Sequence, residues 1–323
     1  MLIVGLQGSP RKGGNTDDLL AAFLAKAGQA GAEVKTIQVA RAGIVPCKGC
    51  GYCETHGTCV IADDPMSTEI YGLLREADLV VAATPVFFYG ASAQLKVLID
   101  RCQTLWSRKY VVKLKDPLAG TRKGLLFSVA ASRGRQLFDG IHLSTKYFFD
   151  AIDATFSHAL TYRGIESKGA IRDREGLVAD IDEAIEKTVL PLVNRKKVLF
   201  ISPVGACRAP MAAAMAQQRY GDSIRTGFGG SSPASALHEP MVQAMQRVGT
   251  DMGYRQPQGI DQVFYGSTPD LTFTIGETVD QKRVPGKKKV SWHLPEPTPS
   301  DNAAIDRLRL EIEAHVYTLM RFI

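Results

Sequence analysis

The chain has 323 residues, 45% hydrophobic and 22% charged, with a formal net charge of +6 and a pI near 8.9; these are ordinary globular values, and the length suggests two or three domains. The positive charge is mild and dispersed, and its densest run, Lys287–Lys289 after Pro285-Gly286, reads as a solvated loop, which argues against a nucleic-acid partner. The apolar stretch from Asp78 to Ile99 is broken by Pro85, Gly90, Gln94 and Lys96, so no membrane span is expected, and Met1–Leu6 lacks the basic start of a signal peptide, so the expected location is the cytoplasm.

Leu2–Leu6 reads as a short buried strand. A Gly/Ser-rich turn, Gln7–Thr16, follows it, and Asp17-Asp18 opens a helix with Leu19, Leu20, Phe23 and Leu24 on one face. A strand, such a turn and a helix N-terminus form an anion site, because backbone N–H groups and the helix dipole converge there. Ser9, Asn15 and Thr16 add neutral donors, and Arg11 adds charge. The spacing is neither the dinucleotide fingerprint nor a Walker loop. An ordinary turn capped by Thr16 is the competing reading.

Glu33–Ala40 is the second expected strand, and a cysteine-rich loop follows it. Cys47, Cys50, Cys53 and Cys59, four of the chain's six cysteines, fall in the pattern C-x2-C-x2-C-x5-C. Thiolates in so compact a run are the usual ligands of a [4Fe–4S] cluster. Structural zinc prefers two C-x2-C pairs set further apart, and a disulfide framework belongs to small secreted domains. Free or redox-active thiols and a metal-free Cys/Gly loop also stay open.

Asp64 then caps a helix with Pro65 at its first position. Asp78–Ala83 is a central strand by its apolar run. It ends in Thr84–Ala93, whose aromatics suit the flanks of a flat ring; core packing is the alternative for Phe87 or Phe88 alone, while Pro85, Tyr89, Gly90 and Ser92 together read as a binding loop. Gly124–Ala130 ends in Ala131–Arg135, and His158–Tyr162 makes a fifth strand, with a last helix over about 175–192. Five strands alternating with helices predict a doubly wound parallel sheet with ligands at the strand carboxyl ends.

The Gly8–Thr16 turn, the Pro46-Cys-x-Gly-Cys…Gly-x-Cys-x-x-x-Asp-Asp64 segment and Thr84-Pro-Val-x-x-Tyr-Gly90 resemble the iron–sulfur flavoproteins, within the wider NADPH-dependent FMN reductase family of the flavodoxin-like fold. The resemblance covers roughly residues 1–193, and the cysteine spacing points to the iron–sulfur branch. It implies that Ser9, Arg11, Lys12, Asn15 and Thr16 hold the FMN phosphate. By the same resemblance Pro85, Val86, Phe87, Tyr89 and Gly90 line the isoalloxazine, and Ser132, Arg133 and Gly134 form a third loop over it. It further implies a homodimer or homotetramer, with NAD(P)H or ferredoxin as donor and a small-molecule acceptor.

Asn194–Lys197 is a basic link, and a new strand begins at Val198–Ile201. The expected domains are therefore 1–193 and 194–323. Val198–Ala213, Thr226-Gly227, His238–Met245 and Val290–Pro297 resemble the low-molecular-weight protein tyrosine phosphatases and the arsenate reductases built on that fold. The resemblance implies a second, smaller doubly wound α/β domain. The family's loop is Cys-x5-Arg, a thiolate nucleophile with backbone N–H groups and Arg around an oxyanion. Here Ser202 stands at the nucleophile position, Pro203 removes one N–H, Gly205 replaces the loop Asn, Glu296 replaces the acid Asp, and Thr274–Asp280 holds no resolving cysteine. Cys207 and Arg208 persist, Cys207 reading best as a small buried residue. Ser202, Gly205, Cys207 and Arg208 remain a possible oxyanion site, but no phosphatase or arsenate reductase chemistry is expected. The sequence thus reads as an FMN-dependent oxidoreductase. The alternative is a redox or oxyanion sensor whose second half binds without turnover.

Overall fold

Three strands of the first sheet, β1 (Leu2–Gln7), β3 (Leu79–Pro85) and β4 (Lys123–Ala130), are buried almost end to end. This is what near-continuous apolar runs become when helices cover both faces of a sheet. The structure is a computed structural model that describes residues 1–276, 279, 284–296 and 301–323. It divides into two compact units, Met1–Lys113 with Gly120–Asn194, and Leu114–Ala119 with Arg195–Ile323.

In the first unit β2 (Glu33–Gln38) and β5 (Thr155–Arg163) form the edges, and every pairing is parallel in the order β2-β1-β3-β4-β5. The expected flavodoxin-like sheet is borne out. The order reverses between β1 and β3, so a crevice opens at the carboxyl ends of those strands. The connections are α1 (Asn15–Gln29), α2 (Tyr52–His56), α3 (Tyr71–Glu76), α4 (Ala93–Arg101), α5 (Gln103–Tyr110), α6 (Asp139–Ala151), α7 (Leu177–Thr188) and α8 (Leu190–Val193). Helix α1 buries Leu19, Leu20, Phe23 and Leu24, and Phe23 meets Phe127 of β4 edge-on at 5.1 Å. At the opposite end of the sheet, buried Arg122 donates to the carbonyls of Ala77, Ile152 and Arg75.

The sequence reading misplaces three boundaries. Helix α1 starts at Asn15, behind Gly14 and without a side-chain cap, so Thr16 lies within the first turn rather than capping it. The second strand stops at Gln38, where Val39–Arg41 winds into a 3-10 turn. The expected 175–192 helix breaks into α7 and α8. Pro191 lacks the N–H that would bond the carbonyl of Lys187, and Lys123 Nζ takes that carbonyl instead at 3.1 Å.

The second unit runs β6 (Lys196–Ser202), α9 (Arg208–Tyr220), β7 (Ile224–Gly230), α10 (Glu239–Arg247), β8 (Leu271–Ile275), β9 (Lys288–Trp292) and α11 (Asn302–Tyr317). Its strands are parallel in the order β7-β6-β8-β9. Phe200 and Phe273 stack at its centre and Trp292 packs tilted against both, with ring centroids 4.6–5.6 Å apart. Leu114–Ala119 serves this unit although it leaves the chain between α5 and β4. Lys115 N–H donates to Gly249 O at 2.7 Å, Asp251 N–H donates to Lys115 O at 2.9 Å, and fully buried Asp116 pairs with Arg255 at 3.0 Å. Of the sequence readings in this half, Glu277, Thr278, Asp280 and Pro297 lie outside the described residues. No described helix is long and apolar enough to cross a membrane.

Candidate functional site

The turn after β1 is tied internally before any ligand is considered. Buried Gln7 receives the Ser9 N–H at 2.5 Å and donates to Asp17, whose other oxygen accepts the Gly13 N–H at 2.6 Å. The Ser9 hydroxyl accepts the Arg11 N–H at 3.2 Å. Gly8 must be a glycine: a Cβ there would stand 2.8 Å from that of Leu95 and 3.0 Å from the Ala83 carbonyl. The first N–H groups of α1 have no partner within the helix, as at any helix start, and no side chain caps them. Arg11 and Lys12 are exposed beside them, and among the described residues neither makes an ion pair. This arrangement suits an anion such as a phosphate group.

Asn15 also makes contacts that the sequence reading does not give. Its amide donates to Ser167 O at 2.9 Å and accepts the Ile171 N–H at 3.2 Å. It therefore fastens the segment after β5 alongside the turn. That segment carries Lys168, whose amine end lies against Gly13 and adds a cation the sequence reading missed.

The loop after β3 closes on the same crevice. Ser92 caps α4 by accepting the Leu95 N–H, and its hydroxyl donates to Gly8 O at 2.5 Å, joining the first loop to the second. Phe87 and Gly90 exchange backbone hydrogen bonds at 3.0 and 2.9 Å around Phe88 and Tyr89, both at positive φ. Two non-glycine residues in that region make a strained, outward-pointing turn. Pro85 lies in register with Val129, Val86 packs beside Ala130, Leu137 and Phe138, and Phe87, Phe88 and Tyr89 stay exposed. The third loop, after β4, meets them: a Cβ on Gly134 would stand 2.8 Å from the Tyr89 hydroxyl. Ser132 O accepts the Gly164 N–H at 3.1 Å, and Arg133 lies over Gly164. Ser9 through Thr16, Pro85 through Gly90 and Ser132 through Gly134 thus share one end of the sheet, on three adjacent strands.

The cysteine run is held differently. Cys47 and Cys50 are exposed, Cys53 and Cys59 half-buried, and all four are free thiols. Gly49 and Gly51 adopt positive φ with nothing near their Cβ positions, so they serve the path of the backbone. The run is clasped from α4 and α5. Arg101 grips Asp64 at 2.5 and 3.1 Å, Arg108 donates to Gly57 O at 2.8 Å, and the Ser107 hydroxyl donates to the Cys53 sulfur at 3.4 Å. Burial alone would raise the Asp64 carboxyl, but the Arg101 hydrogen bond and charge and the Val45 and Ser67 N–H groups more than offset it, leaving it below the usual carboxylate range. Asp64 also caps Ser67 N–H at 3.2 Å, as the sequence predicts.

Among the described residues no three His, Cys, Asp or Glu side chains stand close enough together to hold a metal. Four soft donors on a glycine-hinged segment, Cys53 within the short helix α2 and the others outside it, nonetheless match the chemistry of an iron–sulfur group. Buried Arg101, which holds the residues flanking the cysteine run, keeps its Nε–H without an acceptor.

In the second unit the corresponding strand–turn–helix element is closed. Ser202 ends β6, buried, and Gly205 turns at positive φ against the Gly229–Gly230 backbone. Buried Arg208 donates to Leu294 O at 2.9 Å and pairs with the Glu296 carboxylate. Burial, with help from Glu296, pushes the Cys207 thiol up to about 12. Arg208 thus already carries a carboxylate where the sequence reading left room for an oxyanion.

Residues 1–149 match the family model described as NADPH-dependent FMN reductase. An iron–sulfur flavoprotein from Methanosarcina thermophila is 39% identical over 128 residues, 38% of this chain and 66% of that protein. One from Methanocaldococcus jannaschii is 41% identical over 105 residues, 32% of this chain and 53% of that protein. The chain therefore spans about half to two thirds of the length of these curated relatives. An arsenate reductase structure from Archaeoglobus fulgidus is 25% identical, with a TM-score of 0.34, covering 38% of this chain and 97% of that one.

Proposed function

We propose that the first unit binds FMN where the loops after β1, β3 and β4 meet, and that the chain is a flavin-dependent oxidoreductase carrying one [4Fe–4S] cluster on Cys47, Cys50, Cys53 and Cys59. The observation that carries this reading is the union of three loops at the strand-order reversal, with the Ser92 hydroxyl bonded to Gly8 O at 2.5 Å. In flavodoxin-like sheets, the general example of this rule, FMN sits at that reversal. The match of residues 1–149 to the FMN reductase family and the iron–sulfur flavoprotein relatives support it.

The free N–H groups at the start of α1, with Arg11, Lys12 and Lys168, hold the phosphate end. The Phe87–Gly90 turn presents aromatic faces to the ring, and Gly134 seats the Tyr89 hydroxyl so that the turn is braced. When bound, FMN supplies exchange between two-electron and one-electron transfer, and the cluster carries single electrons. The donor is NAD(P)H or ferredoxin and the acceptor a small molecule. The working form is a homodimer or homotetramer in the cytoplasm.

The second unit is catalytically silent in this proposal. Its sensor alternative, in which Ser202, Gly205, Cys207 and Arg208 hold an oxyanion, is weakened because Glu296 already neutralises Arg208. The test is an absorbance spectrum with iron and FMN analysis of the full chain prepared anaerobically. About one FMN and about four irons per chain are expected, the stoichiometry of that cluster type. Stoichiometric zinc without iron in such a preparation rejects the cluster. Absence of flavin rejects the phosphate site.

A further inference from the structure

The proposed function leaves one buried group unused. Arg101 closes α4, and its side chain is wholly buried, as is that of Asp64 to within a few per cent. One guanidinium nitrogen donates to Val45 O at 2.7 Å and to Asp64 at 2.5 Å. The other donates to Ile61 O at 3.3 Å, Asp64 at 3.1 Å and the Ser67 hydroxyl at 3.1 Å. Asp64 returns a bond to Val45 by accepting its N–H at 3.0 Å. Val45 stands two residues before Cys47, and Ile61 two residues after Cys59. A single ion pair therefore fixes the distance between the two ends of the cysteine run. Other polar atoms here are bonded, yet the Nε–H of Arg101 has no acceptor. Buried donors are satisfied in folded proteins with few exceptions, and each exception calls for an explanation, an incoming acceptor being one.

The other end of α4 begins at Ser92, bonded to Gly8 O of the phosphate turn. Nine helical residues, a rod of about 13 Å, thus connect the flavin loops to the cysteine clasp.

We infer that Arg101 is a positioning residue for the iron–sulfur group: with Asp64 it sets the span of the cysteine run, and its spare Nε–H donates to a sulfur of the loaded site, Cys59 being the candidate. This rests on the reading of the four cysteines as cluster ligands. Nearby positive charge and hydrogen bonds to sulfur both favour the reduced, more negative form of a cluster. Burial works against the Arg101 charge, and the Asp64 hydrogen bond together with smaller favourable contributions, Cys59 among them, more than offsets it. The two partners should then move the reduction potential in opposite directions.

The experiment is a redox titration of the cluster in the anaerobic full chain, followed by its visible and electron-spin signals, on wild type, Arg101→Lys, Arg101→Gln and Asp64→Asn. Iron and FMN are counted in each. Arg101→Lys, which keeps the charge and loses the fork, should lower the potential. Arg101→Gln should lower it further and lose part of the iron while FMN stays bound. Asp64→Asn, which leaves the Arg101 charge uncompensated, should raise it. Mere loosening of the loop would not produce shifts of opposite sign. An unchanged potential in the Arg101 variants, or a fall in Asp64→Asn, overturns the inference. Should an Arg101 variant lose FMN as well, Asp64→Asn decides alone: a rise supports the inference, and no change or a fall overturns it. Wild-type protein without iron would instead reject the cluster itself, so the two failures are distinct.

Discussion

The two units each begin with the same device, a parallel strand feeding a tight turn into a helix N-terminus, and they use it in opposite ways. After β1 the turn is braced from inside by Gln7 and Asp17, and the exposed cations Arg11 and Lys12 flank it. After β6 the cation is Arg208, which is buried and already matched by the Leu294 carbonyl and the Glu296 carboxylate. Only the first therefore leaves its charge for an incoming anion. The difference lies in where the counter-charge resides. In the second unit it is a carboxylate of the same chain, Glu296.

The sharpest way to break this comparison is to look for catalysis in the second unit. The full chain should not hydrolyse an aryl phosphate measurably, and Ser202→Cys should recover little. A positioned nucleophile is worth several orders of magnitude, and members of one catalytic unit are not additive. The full chain is required, because a fragment beginning at Arg195 would omit Leu114–Ala119. Wild-type turnover like that of an ordinary phosphatase would make Cys207 the nucleophile to test.

That strap supplies the next largest effect. Asp116 is fully buried, pairs with Arg255, and accepts the Leu118 N–H at 2.7 Å. Asp116→Ala should destabilise the second unit by about 3–5 kcal/mol, the cost of leaving a buried charge without its partner. Calorimetry should show one transition falling while the flavin-bearing unit keeps its own. Equal loss in both transitions, or no loss, would contradict the assignment of the strap.

How much of this the residues disclose depends on sequence distance. The central strands were legible because burial on both faces demands unbroken apolar runs. The loops at their carboxyl ends were legible because Gly, Ser and Pro mark turns near a helix start. Residues acting across the fold were not. Arg101 and Asp64 are 37 positions apart, and nothing local announces that an Arg at a helix end will be buried against the cysteine run. Lys168 reaches Gly13 only after β5 has been placed. Leu114–Ala119 looks like any connection between a helix and a strand until Thr250, Asp251 and Arg255 are beside it. Asn15 reads from the sequence as a polar residue of the turn, and its bonds to the segment 167–171 appear only in the fold.

A more moderate effect sharpens the first half of the comparison. Arg11→Ala should weaken FMN binding by about 1.5–3 kcal/mol, the range for a hydrogen bond to a charged group, or roughly ten- to hundredfold in Kd. Arg208→Ala should leave FMN affinity unchanged. Fluorescence titration of the deflavinated protein reads both. Affinity unaltered by Arg11→Ala and Ser9→Ala together would move the phosphate elsewhere.

The smallest effect concerns the thiol beside the closed site. Cys207 is held near 12, against an ordinary value near 9, by burial first and by the Glu296 charge second. A thiol whose proton is held more tightly in the folded state contributes stability that is fully present below about 9 and is lost as pH rises through about 12. Folded protein should therefore resist alkylation at Cys207 at pH 8, with labelling rising steeply only in strong alkali. Glu296→Gln removes a like charge and leaves Arg208 unmatched, and both changes favour the thiolate. The carboxylate is largely exposed, so solvent screening limits the gain to about fivefold in labelling rate, the size of a ~1 kcal/mol interaction. Mass spectrometry after timed iodoacetamide treatment measures it. Rapid labelling of wild-type Cys207 at pH 8, in protein shown to remain folded, would mean that the second helix N-terminus is open like the first and that the contrast between the units is wrong.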